Sequence, residues 1–143
     1  MTKAIKSMKL YSAVERIHHD LEEAGFARED ALSVAALTPF DQLHYHGTEA
    51  VDRAIASAGI AKGAQVLDIG SGFGGPARYL AQASGAHVTA VELQADMNAT
   101  AAELTARCGL AERIDHVEGD ILTVDLPQGR FDAMISFLAL YHV

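Results

Sequence analysis

The chain has 143 residues, with 11 Lys and Arg against 19 Asp and Glu for a net charge of −8; half of it is hydrophobic and 21% charged. That length suits one ordinary domain, able to bury roughly 68–70% of its unfolded surface, and the composition excludes a disordered chain. The acidic balance argues against nucleic acid or an anionic membrane as a partner, since both attract clustered Lys and Arg.

Cys108 is the only cysteine, so no intrachain disulfide can form. Residues 1–10 carry Lys3, Lys6 and Lys9 without a continuous apolar core, which makes a poor secretory signal. No apolar run approaches the roughly 20 residues of a membrane helix. A cytoplasmic location is expected.

From the N-terminus, Val14, Ile17, Leu21 and Ala24 recur at helical steps, and Gly25 stands where that helix should end. A short helix is predicted over residues 29–37, stopped by Pro39. Thr38-Pro39-Phe40-Asp41-Gln42-Leu43-His44-Tyr45-His46-Gly47 has no clean period and is dense in aromatics and histidines. Thr48 is predicted to cap a helix running to Ala58, with Gly59 as terminator.

Beyond Gly63 the pattern becomes alternating strand and helix. Strands are predicted over residues 65–69, 87–91, 114–118 and 131–138. Pro76 opens one intervening helix. A second places Met97, Ala101, Leu104 and Cys108 on one face and closes at Gly109. Such alternation implies a parallel sheet covered on both faces. The predicted class is α/β, a partial Rossmann-like parallel sheet of about four strands with an N-terminal helical cap.

The strongest local signal is Val66-Leu67-Asp68-Ile69-Gly70-Ser71-Gly72-Phe73-Gly74-Gly75. A glycine turn between strand and helix admits positive φ and close ligand approach. The helix it opens offers unpaired N–H groups at its positive dipole end. Gly70, Gly72 and Gly75 satisfy the dinucleotide spacing G-x-G-x-x-G, whereas Gly70, Gly72 and Gly74 satisfy G-x-G-x-G. Glu92, at the end of the second strand, suits a ribose diol in either reading. Asp68 separates them. Beside a pyrophosphate its carboxylate would be repelled, while an amino-acid-like ligand offers it an ammonium, a contact worth about 1.5–3 kcal/mol. The alternative is that Asp68 only ties down the turn.

These residues, with Glu92 and Gly119-Asp120, resemble the successive motifs of class I S-adenosylmethionine-dependent methyltransferases. The resemblance runs from about Phe40 to the last residue. It implies S-adenosyl-L-methionine as cofactor, its methionyl part held by Asp68, Gly70, Ser71, Gly72 and Gly74. Glu92 would bind the ribose, and Asp120 the adenine amino group. Ile121 and Leu93 would flank the ring, with Phe137 also in the cofactor site. With residues 38–47, the run from Gly72 to Leu80 resembles the small-molecule branch that includes sarcosine and dimethylglycine methyltransferases. That resemblance makes Gln42 a candidate for the methionyl carboxylate, and His44 and Tyr45 for the acceptor pocket. Phe40 and Tyr45 could stabilise a cation through their π faces, or simply pack.

The expected division is a cap and lid over residues 1–47 and a cofactor domain over residues 48–143, truncated after the fourth strand. Relatives that methylate base amines or glutamine end this strand in Asp/Asn-Pro-Pro-aromatic; here Ser136-Phe137-Leu138-Ala139-Leu140-Tyr141-His142-Val143 stands instead. The expected substrate is therefore a small molecule, an amine ahead of a quinone or lipid. His142 is a pocket candidate that could serve as general base or merely end the strand. No catalytic residue is assigned and no metal site is expected. A non-catalytic cofactor-binding fragment and a nicotinamide-dependent oxidoreductase are the alternatives. The apolar fourth strand, lacking a fifth neighbour, is expected to invite self-association.

Overall fold

The computed structural model describes residues 9–143, so Lys3 and Lys6 of the basic N-terminal stretch lie outside the described residues. Along the described residues run α1 (Arg16–Glu23), α2 (Val34–Asp41), α3 (Gly47–Ala58), β1 (Gln65–Ile69), α4 (Gly75–Ser84), β2 (His87–Glu92), α5 (Ala95–Arg107), β3 (Ile114–Glu118) and β4 (Ala133–Ile135), then a 3-10 turn over Leu140–His142. No helix among them is long and apolar enough to cross a membrane.

The strands form one parallel sheet in the order β3-β2-β1-β4. The crossovers β1-α4-β2 and β2-α5-β3 step in the same direction, so a common right-handed sense puts both helices on one face. The chain then returns to the other side of β1. This reversal opens a crevice at the carboxyl ends of the strands, where ligands of open α/β sheets bind.

In register, Val66 lies opposite Val88 and Ala133, and Val88 opposite Ile114. Val66, Val88, Ile114 and Ile135 join Ala77 and Leu80 of α4 and Val51 of α3 in one apolar cluster. A second cluster unites Ile17 and Leu21 of α1, Leu37 of α2, Phe73, and Met97 and Leu104 of α5.

The fold departs from the sequence expectations at four places. The second helix spans 34–41, not 29–37, because the Ser33 hydroxyl accepts from Ala36 N–H and caps it there. Pro39 sits inside it; burial of Leu37 and Asp41 overrides the local cost of proline. The next helix starts at Gly47 rather than after Thr48, because His46 at φ +64° turns the chain two residues earlier. The fourth strand keeps only 133–135. Ser136 Oγ donates to the Ile69 carbonyl at 2.9 Å, and Leu138, at φ +54°, leaves extended geometry. Finally, among the described residues helices cover only one face of the sheet. The opposite row runs from buried Leu67 through half-buried Thr89 to exposed Asp115, and Met134 is 68% exposed.

Candidate functional site

The glycine turn is tied to β2 by backbone bonds. The Gly70 and Ser71 N–H groups both donate to the Val91 carbonyl, at 2.9 and 3.0 Å, and Gly74 N–H donates back to Ser71. Gly70 has φ +71°, and a Cβ there would sit 2.2 Å from that of Ala139, so both conformation and space demand glycine. Glu92 braces the turn with both oxygens. Oε2 accepts from Gly72 N–H and Oε1 from Gln94 N–H, each at 2.9 Å.

A cavity of about 460 Å³ opens at the carboxyl end of the sheet. Gly70, Glu92, Leu93, Asp120, Ile121 and Phe137 line it. A smaller recess of about 40 Å³ adjoins it, walled by Asp41, His44, Asp68, Ser71, Gly72 and Phe73. Leu43, Gly70 and Phe137 border both. Two polar atoms of the recess lack partners: Asp68 Oδ2 and Ser71 Oγ are buried without a hydrogen bond. Asp68 is 1% exposed. Burial, reinforced by the nearby Glu92 charge, pushes its carboxyl up to about 7. A buried acceptor in that state is stabilised by a donor or a cation entering from the recess.

Residues 66–143 match the model of the "Methyltransferase domain" family. The chain belongs to the methyltransferase-domain family. It is 35% identical over 102 residues to a sterol 24-C-methyltransferase of Gibberella zeae, covering 66% of this chain and 27% of that protein. It is 30% identical over 105 residues to a glycine/sarcosine/dimethylglycine N-methyltransferase of Actinopolyspora halophila, covering 73% of this chain and 19% of the relative. The chain thus spans about a quarter or less of these relatives' length. In fold it resembles a methyltransferase from Thiobacillus denitrificans crystallised with S-adenosyl-L-homocysteine, with a TM-score of 0.61 at 22% identity over 79% of this chain and 46% of the other.

Within this methyltransferase domain the predicted residues are not all gathered at the cavity. Asp68, Gly70, Ser71, Gly72, Glu92, Leu93, Asp120, Ile121 and Phe137 border the cavity or the recess. Asp120 also braces its own turn, accepting from Leu122 N–H at 3.0 Å. His44 reaches the recess, stacked on Phe137 with centroids 4.7 Å apart. His142 lines the cavity from the 3-10 turn, past the end of the strand.

Gln42 and Tyr45 are not brought to either space. Gln42 is occupied by its neighbours, donating to Asp41 Oδ1 at 3.2 Å with its oxygen 2.9 Å from His44 Nε2. Tyr45 is 75% exposed, because the loop turns outward before His46. Phe40 packs against the second apolar cluster. Gly74 borders neither space and serves as the left-handed cap of α4.

Two further sets of residues matter that the sequence did not single out. Gln94 clamps the backbone of Tyr11, its Oε1 accepting from the Tyr11 N–H and its Nε2 donating to the Tyr11 carbonyl. This lays Leu10 and Tyr11 along the cavity. The second set is Asp41 with Arg78, a fully buried ion pair. A lone arginine on an otherwise apolar helix face, Ala77-Arg78-Tyr79-Leu80-Ala81, was the available signal.

Proposed function

We propose that this chain forms the cofactor site of an S-adenosyl-L-methionine-dependent methyltransferase acting on a small acceptor, an amine before a quinone or lipid. The observation that carries the reading is the junction of the two spaces. The larger one suits a nucleoside beside Glu92 and Asp120, and the smaller presents a buried, unpartnered carboxylate oxygen of Asp68. A pyrophosphate at that junction would be repelled by Asp68; the ammonium of a methionyl group is attracted. The glycine/sarcosine/dimethylglycine relative supports an amine acceptor.

When bound, the cofactor supplies a sulfonium methyl group that an acceptor lone pair displaces. The chain's own contribution is to bind and orient. The unpartnered Ser71 hydroxyl and Asp68 fit the amino-acid end, Glu92 fits the ribose hydroxyls, and Leu93 with Ile121 fits the adenine faces. Alignment of this kind can supply roughly 7–11 kcal/mol of a bimolecular barrier. His142 is the candidate base for an acceptor that must lose a proton; a tertiary amine needs none. Residues up to 47 act as cap and lid, and those from 48 onward as the cofactor domain.

Calorimetry with S-adenosylhomocysteine and with NAD tests the reading. Binding of the first and not the second is expected. Asp68→Ala should weaken S-adenosylhomocysteine, and Glu92→Ala should weaken adenosine-containing ligands generally, partly by freeing Gly72. Unchanged affinity in both variants would show that the site is elsewhere.

A further inference from the structure

The buried Asp41–Arg78 pair lies just behind the small recess. Arg78 is fully buried on α4, and its two terminal nitrogens find four acceptors while Nε has none. Its Nη2 donates to Asp41 Oδ2 at 3.0 Å and to the Phe73 carbonyl at 2.6 Å. Its Nη1 donates to the Ala101 carbonyl at 3.2 Å and to Thr105 Oγ at 3.1 Å. Thr105, whose hydroxyl proton is left free by accepting from Arg78, lies 2.8 Å from His116 Nε2. Burial and the Arg78 charge hold His116 down at about 4, so it stays neutral and accepts. One guanidinium therefore ties together the last residue of α2, the glycine turn, α5 and β3.

The backbone is built around this contact. A Cβ on Gly75 would meet the Asp41 carbonyl oxygen at 2.2 Å. This last glycine of the motif is thus required by the end of the helical cap, not by a ligand. Asp41 in turn fixes where the chain leaves α2 toward Leu43, which borders both spaces, and His44, which stacks on Phe137.

We infer that Arg78 is a positioning residue for the amino-acid end of the cofactor site: by clamping Asp41 to the Phe73 carbonyl it holds the walls of the small recess at their working separation. The inference rests on the proposed function. It makes a demand that a general role in stability does not. Arg78 borders neither space, and its partners Asp41 and Phe73 wall only the recess. Loosening it should harm a ligand's amino-acid end and spare its nucleoside end.

The experiment compares S-adenosylhomocysteine with 5′-methylthioadenosine, which lacks the amino-acid end, by calorimetry on the full chain. Lysine keeps the charge but lacks the fork that reaches four acceptors. Arg78→Lys should therefore weaken S-adenosylhomocysteine roughly tenfold or more, and methylthioadenosine less than about threefold. Thr105→Val removes one acceptor of Arg78, lies outside both spaces, and should show the same split at smaller size. Equal weakening of both ligands, or no weakening of either, overturns the inference. If Arg78→Lys does not fold, Thr105→Val decides by the same criterion. A parent chain that binds neither ligand would sink the proposed function itself, whereas normal parent binding with no split sinks only the role of Arg78.

Discussion

The two faces of the sheet carry similar apolar sequence and meet different fates. On one face Val66, Val88, Ala90 and Ile114 are buried against α3 and α4. On the other, the row that starts at Leu67 ends in exposed Asp115 on one side and exposed Met134 on the other. Parallel strands are normally apolar because both faces are buried. Strand hydrophobicity thus records a requirement for cover without saying what supplies it. The covered face holds the site's anchors, and its burial is what gives Asp68 and Arg78 their chemistry.

The largest effect should come from Asp68, where that burial acts on a charge. Its folded pKa of about 7 stands above the ordinary carboxylate value of 3.8, so the folded state binds the extra proton between these values. Stability should therefore be unpenalised below pH 4, fall as pH rises through that window, and level off above pH 7. At 1.36 kcal/mol per unit the loss is on the order of 4 kcal/mol. Urea denaturation of the parent and Asp68→Asn across pH 4–8 checks this; parallel curves would mean that Asp68 titrates normally. By the same logic S-adenosylhomocysteine should bind more tightly as pH rises from 5 to 8, because only the ionised carboxylate attracts an ammonium.

The next contrast compares the faces directly. Leu80 is fully buried against the covered face, so Leu80→Ala should cost about 2–5 kcal/mol. Met134→Ala on the open row should stay within about 0.5 kcal/mol. Comparable losses, measured by the same denaturation, would show that the open face is covered in solution.

Much of the fold is legible in the sequence. The bounds 65–69 and 114–118 agree with the strands to the residue, since each segment carries β-branched residues and ends at a glycine. The spacing of the glycine turn and Glu92, and the resemblance that singles out Asp120, point to residues that border the same crevice. The second helix departs from expectation because proline reads locally as a stop, whereas burial of its neighbours holds Pro39 inside a helix that Ser33 caps. Gln94, Asp41 and Arg78 stayed hidden because their roles depend on residues far away in sequence; Arg78 and Asp41 are 37 positions apart. Gln42 and Tyr45 were placed by resemblance alone, which cannot resolve the direction in which a loop side chain points.

The smallest effect on stability should accompany a distinct effect on association. Beyond β4 no strand is paired among the described residues, so a row of backbone N–H and C=O groups stands open there. Met134, Leu138, Leu140 and Tyr141 are exposed around it. Neither lysine nor proline occurs between 131 and 143 to discourage another strand from adding. The chain is therefore expected to self-associate at micromolar concentrations through this edge and the open face beside it. Light scattering after size exclusion should give a mass that rises with concentration. Met134→Lys places a charge in the open row, where a monomer can solvate it and a covered face cannot. It should shift the population toward monomer while changing the denaturation midpoint little. A parent that stays monomeric across that range would show that the edge is harmless. An association that persists unchanged in Met134→Lys would place the contact elsewhere on the molecule.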